Sequence, residues 1–469
     1  MIKIKPLMLF ASAMLYSLLS MGQDVGTVNH FSAAQCVAYA AEHNVQVRNA
    51  LLNVKIQEQV NRSVTALAYP QISASAGTTH FPNVGVQTFP NFIAAGTYGV
   101  LAAEGVKNGN GETVTPPDDF GLIQAQFGTK WNANAGISLS QILFDGQVFV
   151  GLQARDAVME YAKKQTEVTE MSIRSNIYKI YYQLAASKIQ IQLLTDNISL
   201  IQKVLFTQNE LYKNGFAEKL DIDKSTVLLT NLNTEKQMAE NLIANGILGL
   251  KMLMGMPMKD SLVLTETVTD EFLKNGLLND GKYEYKDRLE YQYLELANKL
   301  TTYNVKRYKL SRIPSLLLNA NYSKLAQRNK FDIFGKGPWF TSSYVGVGIN
   351  VPIFNGFNTD ANIKKAAIEL EQVKLQQENL LNTIDNEVLT ATNTYQNAIS
   401  TLDIQTKNKE LAESILNQTK KKYEAGLAAA LDINTTEKDL QQAQNNYISA
   451  LYDAIIARFN YLTAIGKLP

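Results

Sequence analysis

Cysteine is almost missing from this 469-residue chain: Cys36 is the only one. A single chain with one cysteine can form no internal disulfide. No apolar run stands immediately before Cys36, so it reads as a small helix residue and not as a lipid anchor. Histidine is nearly as scarce, and the three present, His30, His43 and His80, are isolated. No spacing among them suits metal ligation or a catalytic triad. Gly109 and Gly111 lie in a loop with no phosphate-binding helix behind them. The expectation is a protein with no catalytic residues, no metal and no cofactor, and therefore not an enzyme. An excess of either charge is also lacking: 44 basic residues face 43 acidic ones, for a net charge of +1. That balance argues against electrostatic binding of nucleic acid.

Long apolar runs are absent past the N-terminus. The one run there, Leu7 to Leu19, follows Lys3 and Lys5 and leads through Ser20-Met21-Gly22 to Gln23. That order fits a cleaved export signal over residues 1–22. The competing reading is a membrane anchor, but the run falls short of the roughly 20 apolar residues that a spanning helix needs. If the mature protein lies in a membrane, it does so as a β-barrel.

What the chain does contain is a motif that occurs twice. Tyr212, Gly215, Leu220, Asp221 and Ile222 read Y-x-x-G-x-x-x-x-L-D-I, and Tyr423, Gly426, Leu431, Asp432 and Ile433 repeat it 211 positions on. The same offset aligns Ile173, Ile177, Ile180, Leu184, Ser187 and Ile191 with Ile384, Val388, Ala391, Tyr395, Ala398 and Leu402. Alternating steps of four and three describe one seam of a long supercoiled helix. Two copies of one long helical hairpin follow, and such repetition suggests a pseudo-symmetric assembly.

Elsewhere the period changes to two. Trp131, Ala133, Ala135, Ile137 and Leu139 alternate with Asn, Gly and Ser. Leu316, Leu318, Ala320 and Tyr322 do the same, as do Val345, Val347, Ile349, Val351 and Ile353, and more weakly Ile72, Ala74 and Ala76. These are strands with one apolar and one polar face, predicted at about 70–80, 131–144, 314–323 and 343–354. Their length suits a membrane crossing, and their Asn/Ser/Gly faces suit a wet lumen. Each hairpin ends in a matched turn, Leu143-Phe144-Asp145-Gly146 and Ile353-Phe354-Asn355-Gly356. Phe144 and Phe354 fit a membrane-interface girdle, while Asp145 or Asn355 with Gly146 or Gly356 can turn the chain and cap a helix.

The remaining segments fall between these. Phe31 to about Ala68 reads as one helix, ended by Pro70. The loop from about Phe81 to Lys130, with its Gly and Pro turn signals, is longer than its counterpart at about Lys324 to Ser342. Long helices are expected over about 148–211 and 357–422, each roughly 95–100 Å at 1.5 Å per residue. Return helices are expected over about 221–254 and 432–465. Repeat 1 then spans 23–257 and repeat 2 spans 286–469, with a polar segment at 258–285 between them. Four strands in lipid leave two edges unsatisfied, so several chains must close the barrel. Two chains give eight strands and a filled bore; three give twelve and a water-filled lumen.

With these pieces assembled, the chain resembles the TolC family of outer-membrane channel-tunnels. The motifs that carry the resemblance are both Y-x-x-G-x-x-x-x-L-D tips, both strand pairs and the N-terminal helix with Asn44. The resemblance implies a mainly α homotrimer with four strands per chain in a twelve-stranded barrel above a long α-barrel. It implies outer-membrane lipid around the strands, and as partners a periplasmic adaptor protein and an inner-membrane pump of RND or ABC type. The function implied is export of drugs, metals or proteins, as the outer channel of a tripartite efflux or type I secretion system. The periplasmic gate would involve Tyr212, Gly215, Asp221, Tyr423, Gly426 and Asp432. Two features depart from the family pattern: Ala428 stands where an arginine is usual, and Thr435 where a second aspartate is usual. Lys286-Asp287-Arg288-Leu289-Glu290 also lacks the proline common after that arginine.

Two alternatives stay open. Gly215, Gly426, Asp221 and Asp432 could be helix-end residues alone. The whole could be a periplasmic coiled-coil adaptor or scaffold, which explains the heptads but not the strands.

Overall fold

A computed structural model describes residues 27–274 and 283–469. The expected signal segment 1–22 and part of the inter-repeat segment, 275–282, lie outside the described residues. The chain divides into two compact units, Met1–Gln59 with Arg155–Thr302 and Ala367–Pro469, and Val60–Ala154 with Tyr303–Ala366. Each draws on both sequence repeats.

The first unit is helical around a small parallel ribbon. Strand β1, Val28–Phe31, pairs in parallel with β6, Ser261–Leu264. Helix α1, Ala33–His43, starts at a reciprocal cap: Ser32 Oγ accepts from Gln35 N at 3.2 Å, and Gln35 Oε1 accepts from Ser32 N at 2.8 Å. The single helix expected from Phe31 to Ala68 is therefore corrected. Phe31 is a strand residue, and the helix breaks at Asn44, whose ψ of 129° is extended. Its Oδ1 caps the next helix, α2 (Val45–Ala66), accepting from Gln46 N and Val47 N at 2.7 and 3.1 Å. Its Nδ2 donates to Leu253 O at 2.5 Å. Asn favours caps over helix interiors, but a lone Asn inside an unbroken helical period does not by itself mark a break.

Four long helices dominate. These are α4 (Gly146–Lys213), α5 (Lys219–Met254), α8 (Asn358–Glu424) and α9 (Ala430–Ala464). The first and third have 68 and 67 residues. Every seam residue of repeat 1 that is apolar and fully buried in this unit, Ile173, Ile177 and Leu184, matches a buried or half-buried residue of repeat 2. Tyr181 lies wholly buried where α4 meets the ribbon. Its hydroxyl donates to Phe31 O at 2.9 Å and accepts from Thr265 N and Glu266 N at 3.1 and 3.0 Å. Arg288, just before α7 (Leu289–Leu310), is buried and reaches Glu290 at 3.1 Å, Glu387 at 2.9 Å and Ala464 O at 2.9 Å. A short helix α6, Asp270–Lys274, completes this unit.

The second unit is a sheet with an inserted subdomain. Strands β2 (Gln71–His80), β5 (Trp131–Phe144), β7 (Ser315–Arg328) and β8 (Phe340–Asn350) run antiparallel in the order β2-β5-β7-β8. Two strand ends differ from the sequence reading. β7 continues to Arg328, because Lys324 to Arg328 pair with Ala135 to Trp131 despite their polarity. β8 begins at Phe340 and stops at Asn350, before Pro352, whose missing N–H cannot serve a ladder.

The register separates the two faces. Ile72 lies beside Leu139, Leu139 beside Ala320, and Ala320 beside Val345. One pleat over, Ser73 lies beside Ser138, Ser138 beside Asn321, and Asn321 beside Tyr344. The two serine hydroxyls are 2.7 Å apart. One side is thus an apolar band and the other a polar one, as two-residue alternation requires. Val345, Val347 and Ile349 are 77, 60 and 67 % exposed, so nothing among the described residues of one chain covers that band.

The segment read as a loop from about Phe81 to Lys130 carries regular elements of its own. It holds β3 (Val86–Pro90), α3 (Phe92–Ala103) and β4 (Leu122–Gln126), with β3 and β4 paired antiparallel. Its Gly and Pro clusters punctuate short elements that are too brief to show a period.

Candidate functional site

The two hairpin tips are built alike. In each, the long helix ends on a glycine in the left-handed region, Gly215 at φ 80° and Gly426 at φ 74°. Gly215 N donates to Tyr212 O at 3.0 Å and Phe216 N to Leu211 O at 2.9 Å. Gly426 N donates to Tyr423 O at 3.0 Å and Leu427 N to Lys422 O at 2.7 Å. This crossed pair of bonds satisfies the last carbonyls of the helix, and its left-handed residue strongly favours glycine. The residue after each glycine is left in solvent, Phe216 at 81 % and Leu427 at 79 % exposure.

The aspartates separate at this point. Asp432, in the first turn of α9, accepts from Ala429 N at 2.8 Å and so completes the start of its helix. Asp221 holds the same place in α5 without a side-chain hydrogen bond to the backbone. Its charge instead reaches Tyr423 on the other hairpin. Burial first, and then the Asp221 carboxylate, push the Tyr423 hydroxyl above the ordinary phenol pKa. Among the described residues no hydrogen bond joins Asp221 to Tyr423 within one chain. Tyr423 is half-buried, whereas its repeat partner Tyr212 is 48 % exposed.

Behind Tyr423 is a group that the heptad pattern does not show. Gln208 on α4 faces the Tyr423 hydroxyl, yet neither its amide nitrogen nor its oxygen reaches hydrogen-bond geometry. Glu437 on α9 sits in the seam between Ile433 and Leu440, fully buried, with both carboxylate oxygens unpartnered. Burial raises its pKa from 4.5 to about 7. The nearby Asn434 Nδ2 is also unpartnered, while its Oδ1 lies 3.3 Å from Ser225 Oγ. One turn-pair further along α9, Gln444 meets Asn197 at 2.7 Å, and both are buried. The hairpins are therefore packed by an apolar seam interrupted by carboxyl and amide groups near the tips.

The sheet ends are the second set of predicted residues. Asp145 caps α4, accepting from Gln147 N and Val148 N at 2.7 and 3.2 Å. Asn355 bonds Thr359 instead, and Gly356 adopts φ 64° beside Phe357 at φ 63°. Gly146 has a different reason to be glycine: a Cβ there would lie 2.8 Å from Leu310 Cβ and 2.8 Å from Leu310 O. Phe144 stands 5.5 Å from Phe149, and Phe354 5.5 Å from Phe357. At the other end of the strands is a cluster that the sequence reading missed. His80 stacks on Trp131 at 4.1 Å, and Trp131 meets Phe331 at 4.8 Å. The only sequence signal was an aromatic at the first position of an alternating run. The apolar band thus has aromatic rings at both ends, about 33 Å apart along β2 at 3.3–3.4 Å per residue.

Residues 292–467 match the family described as Outer membrane efflux protein. Over that stretch the chain is similar to the outer-membrane efflux proteins. It is 21 % identical to the Outer membrane protein TolC of Vibrio cholerae over 340 residues, 71 % of this chain and 77 % of that one. It is 24 % identical to the Outer membrane efflux protein BepC of Brucella suis over 344 residues, 71 % of this chain and 72 % of that one. Its fold is that of the transmembrane channel CusC, with a TM-score of 0.73 at 16 % identity, covering 95 % of each chain. The names of these relatives are those of outer-membrane proteins, and this protein resides in the outer membrane with a periplasmic extension.

Proposed function

We propose that three copies of this efflux protein close a twelve-stranded barrel and a tunnel of packed hairpins. The tunnel is a passive conduit from periplasm to exterior, gated at the helix tips. The observation that carries this reading is the pair of open edges, β2 and β8, on a sheet of membrane length. Every residue of both strands is exposed. Unpaired backbone groups in lipid cost several kcal/mol each, so the edges demand partners. β8 runs opposite to β2, so β8 of one copy can pair with β2 of the next in an ordinary antiparallel ladder.

The tips support the same symmetry. Tyr423 of the second hairpin faces Gln208 of the first. Shifting both by the 211-residue repeat places the exposed Tyr212 opposite Thr419 of the next copy. A periplasmic adaptor and an inner-membrane pump of RND or ABC type would then engage the tip end. Within each copy, the Asp221 carboxylate beside the Tyr423 hydroxyl is the contact available to hold the two tips together. Ala428 offers no cation to add to it.

The test is the mass of the mature protein extracted from outer membrane in detergent. Three chains are expected; a stable monomer or dimer would sink the reading.

A further inference from the structure

Helix α3, carried by the insert between β2 and β5, has no charged residue among its twelve. Its less exposed side, which includes Ala94, Ala95 and Leu101, lies toward its own chain, where Tyr98 meets Phe120 at 5.7 Å. Its outward side, at helical spacing, is Phe92, Ile93, Gly96, Gly99, Val100 and Ala103. Phe92, Ile93 and Val100 are 58, 57 and 64 % exposed. A Cβ added at Gly96 or Gly99 would meet nothing within 4 Å. A helix that is apolar all round belongs between two partners, and among the described residues only one side of α3 is covered.

We propose that the missing partner is α3 of the other two copies, so that three such helices meet on the threefold axis and narrow the outer mouth. This rests on the trimer proposed above. The insert leaves directly from β2, the edge strand that pairs with the neighbouring copy, so the three inserts hang at the three seams between chains. A twelve-stranded barrel has a backbone radius of about 12 Å, from the strand spacing and tilt. Helix α3 is about 18 Å long at 1.5 Å per residue, enough to reach from rim to axis. The glycines at the middle of its outward face let helix backbones approach closely, while Phe92, Ile93 and Val100 fill the flanks.

A lipid surface fits less well. A helix that lies in the interface carries a strongly polar or basic face, and α3 has none. The ten residues of β2 already cross a bilayer, and β3 extends the chain a further five residues beyond the His80–Trp131 ring pair.

The experiment uses single cysteines in the full-length protein. Cys36 is fully buried and its thiol is pushed up to about 12 by burial, so the parent is silent to oxidation. Ile93→Cys, Val100→Cys and, as the inward-facing control, Ala94→Cys are extracted as native oligomers and treated with a mild oxidant. A disulfide requires close backbones, so Ile93→Cys or Val100→Cys should pair chains at least about tenfold more than Ala94→Cys. Native mass is measured on the same samples. Three-chain particles without enhanced pairing at either outward position overturn the proposal and leave the trimer standing. A particle that is not a trimer overturns both. A fluorophore attached to the thiol of the Ile93→Cys protein supplies a third arm. Its quenching by spin-labelled lipid in three-chain particles assigns the helix to the outer leaflet and also overturns the proposal. As a second measurement, replacing 92–103 by a flexible linker should raise single-channel conductance in three-chain particles. Unchanged conductance shows that the helices do not narrow the mouth.

Discussion

Glu437 is the residue at which solvent conditions act most directly on this protein. Its folded pKa of about 7 lies above the 4.5 of an exposed glutamate. Between those values the folded chain holds a proton that the unfolded chain releases. Stability is therefore present at acid pH, falls as pH rises through that window, and stays lower above it. A shift of this size corresponds to about 3 kcal/mol per chain. Glu437→Gln should raise the melting temperature at about pH 8 and leave it nearly unchanged at about pH 4.5. Equal shifts at both would mean that the carboxyl never changes charge. The tips give a second prediction at this scale. A hydrogen bond to a charged group contributes on the order of 1.5–3 kcal/mol, and a trimer would repeat it around the pore. Asp221→Ala and Tyr423→Phe should each raise single-channel conductance in planar bilayers, and the double change should add less than their sum. Asp432→Ala should instead weaken cation preference, and should also loosen the start of α9, where the carboxylate bonds Ala429 N. No effect on conductance or selectivity from any of the three would leave these residues as helix ends only.

At the scale of elements, Gly146 joins sheet to helix where the chain passes against Leu310. Gly146→Ala should destabilise the protein by about 1–3 kcal/mol, since backbone as well as side chain stands in the way of a methyl group. Urea titration measures this, and a change under about 0.5 kcal/mol would mean that the turn can open without cost. The strands were legible because few structures besides a two-faced sheet place Asn, Ser and Gly between apolar residues at a two-residue period. β1 was not, since four residues carry no period, and its partner β6 lies 233 positions away. The glycines at 215 and 426 were readable as helix ends by their repeat alone. The different work done by Asp221 and Asp432 was not, because identical motifs sit in non-identical surroundings. Glu437 and Gln208 were hidden for a related reason. A seam is found by its apolar residues, and a polar one inside it looks like a position outside it.

For the molecule as a whole, the question with a direct answer is which end of the sheet faces out of the cell. The inserted subdomain marks the end opposite the long helices in chain order. Its Asn108-Gly109-Asn110-Gly111 turn is exposed and tolerant of change. A peptide tag placed after Gly111 should be reached by antibody on intact cells. Reactivity only after permeabilisation would reverse the orientation. The chain order of the sheet also has a consequence in time. β5 ends at Phe144, but β7, its neighbour, does not begin until Ser315. At the pace of synthesis, about 5–20 residues per second, an interval of roughly ten to thirty seconds separates them. β6, the partner of β1, is in contrast delivered ahead of β7. A half-delivered chain therefore has both strands of its amino-end ribbon in hand while the β2–β5 hairpin still bares an open edge. That edge is a template for aggregation, so some escort must guard it during transit until the second half of the chain is delivered.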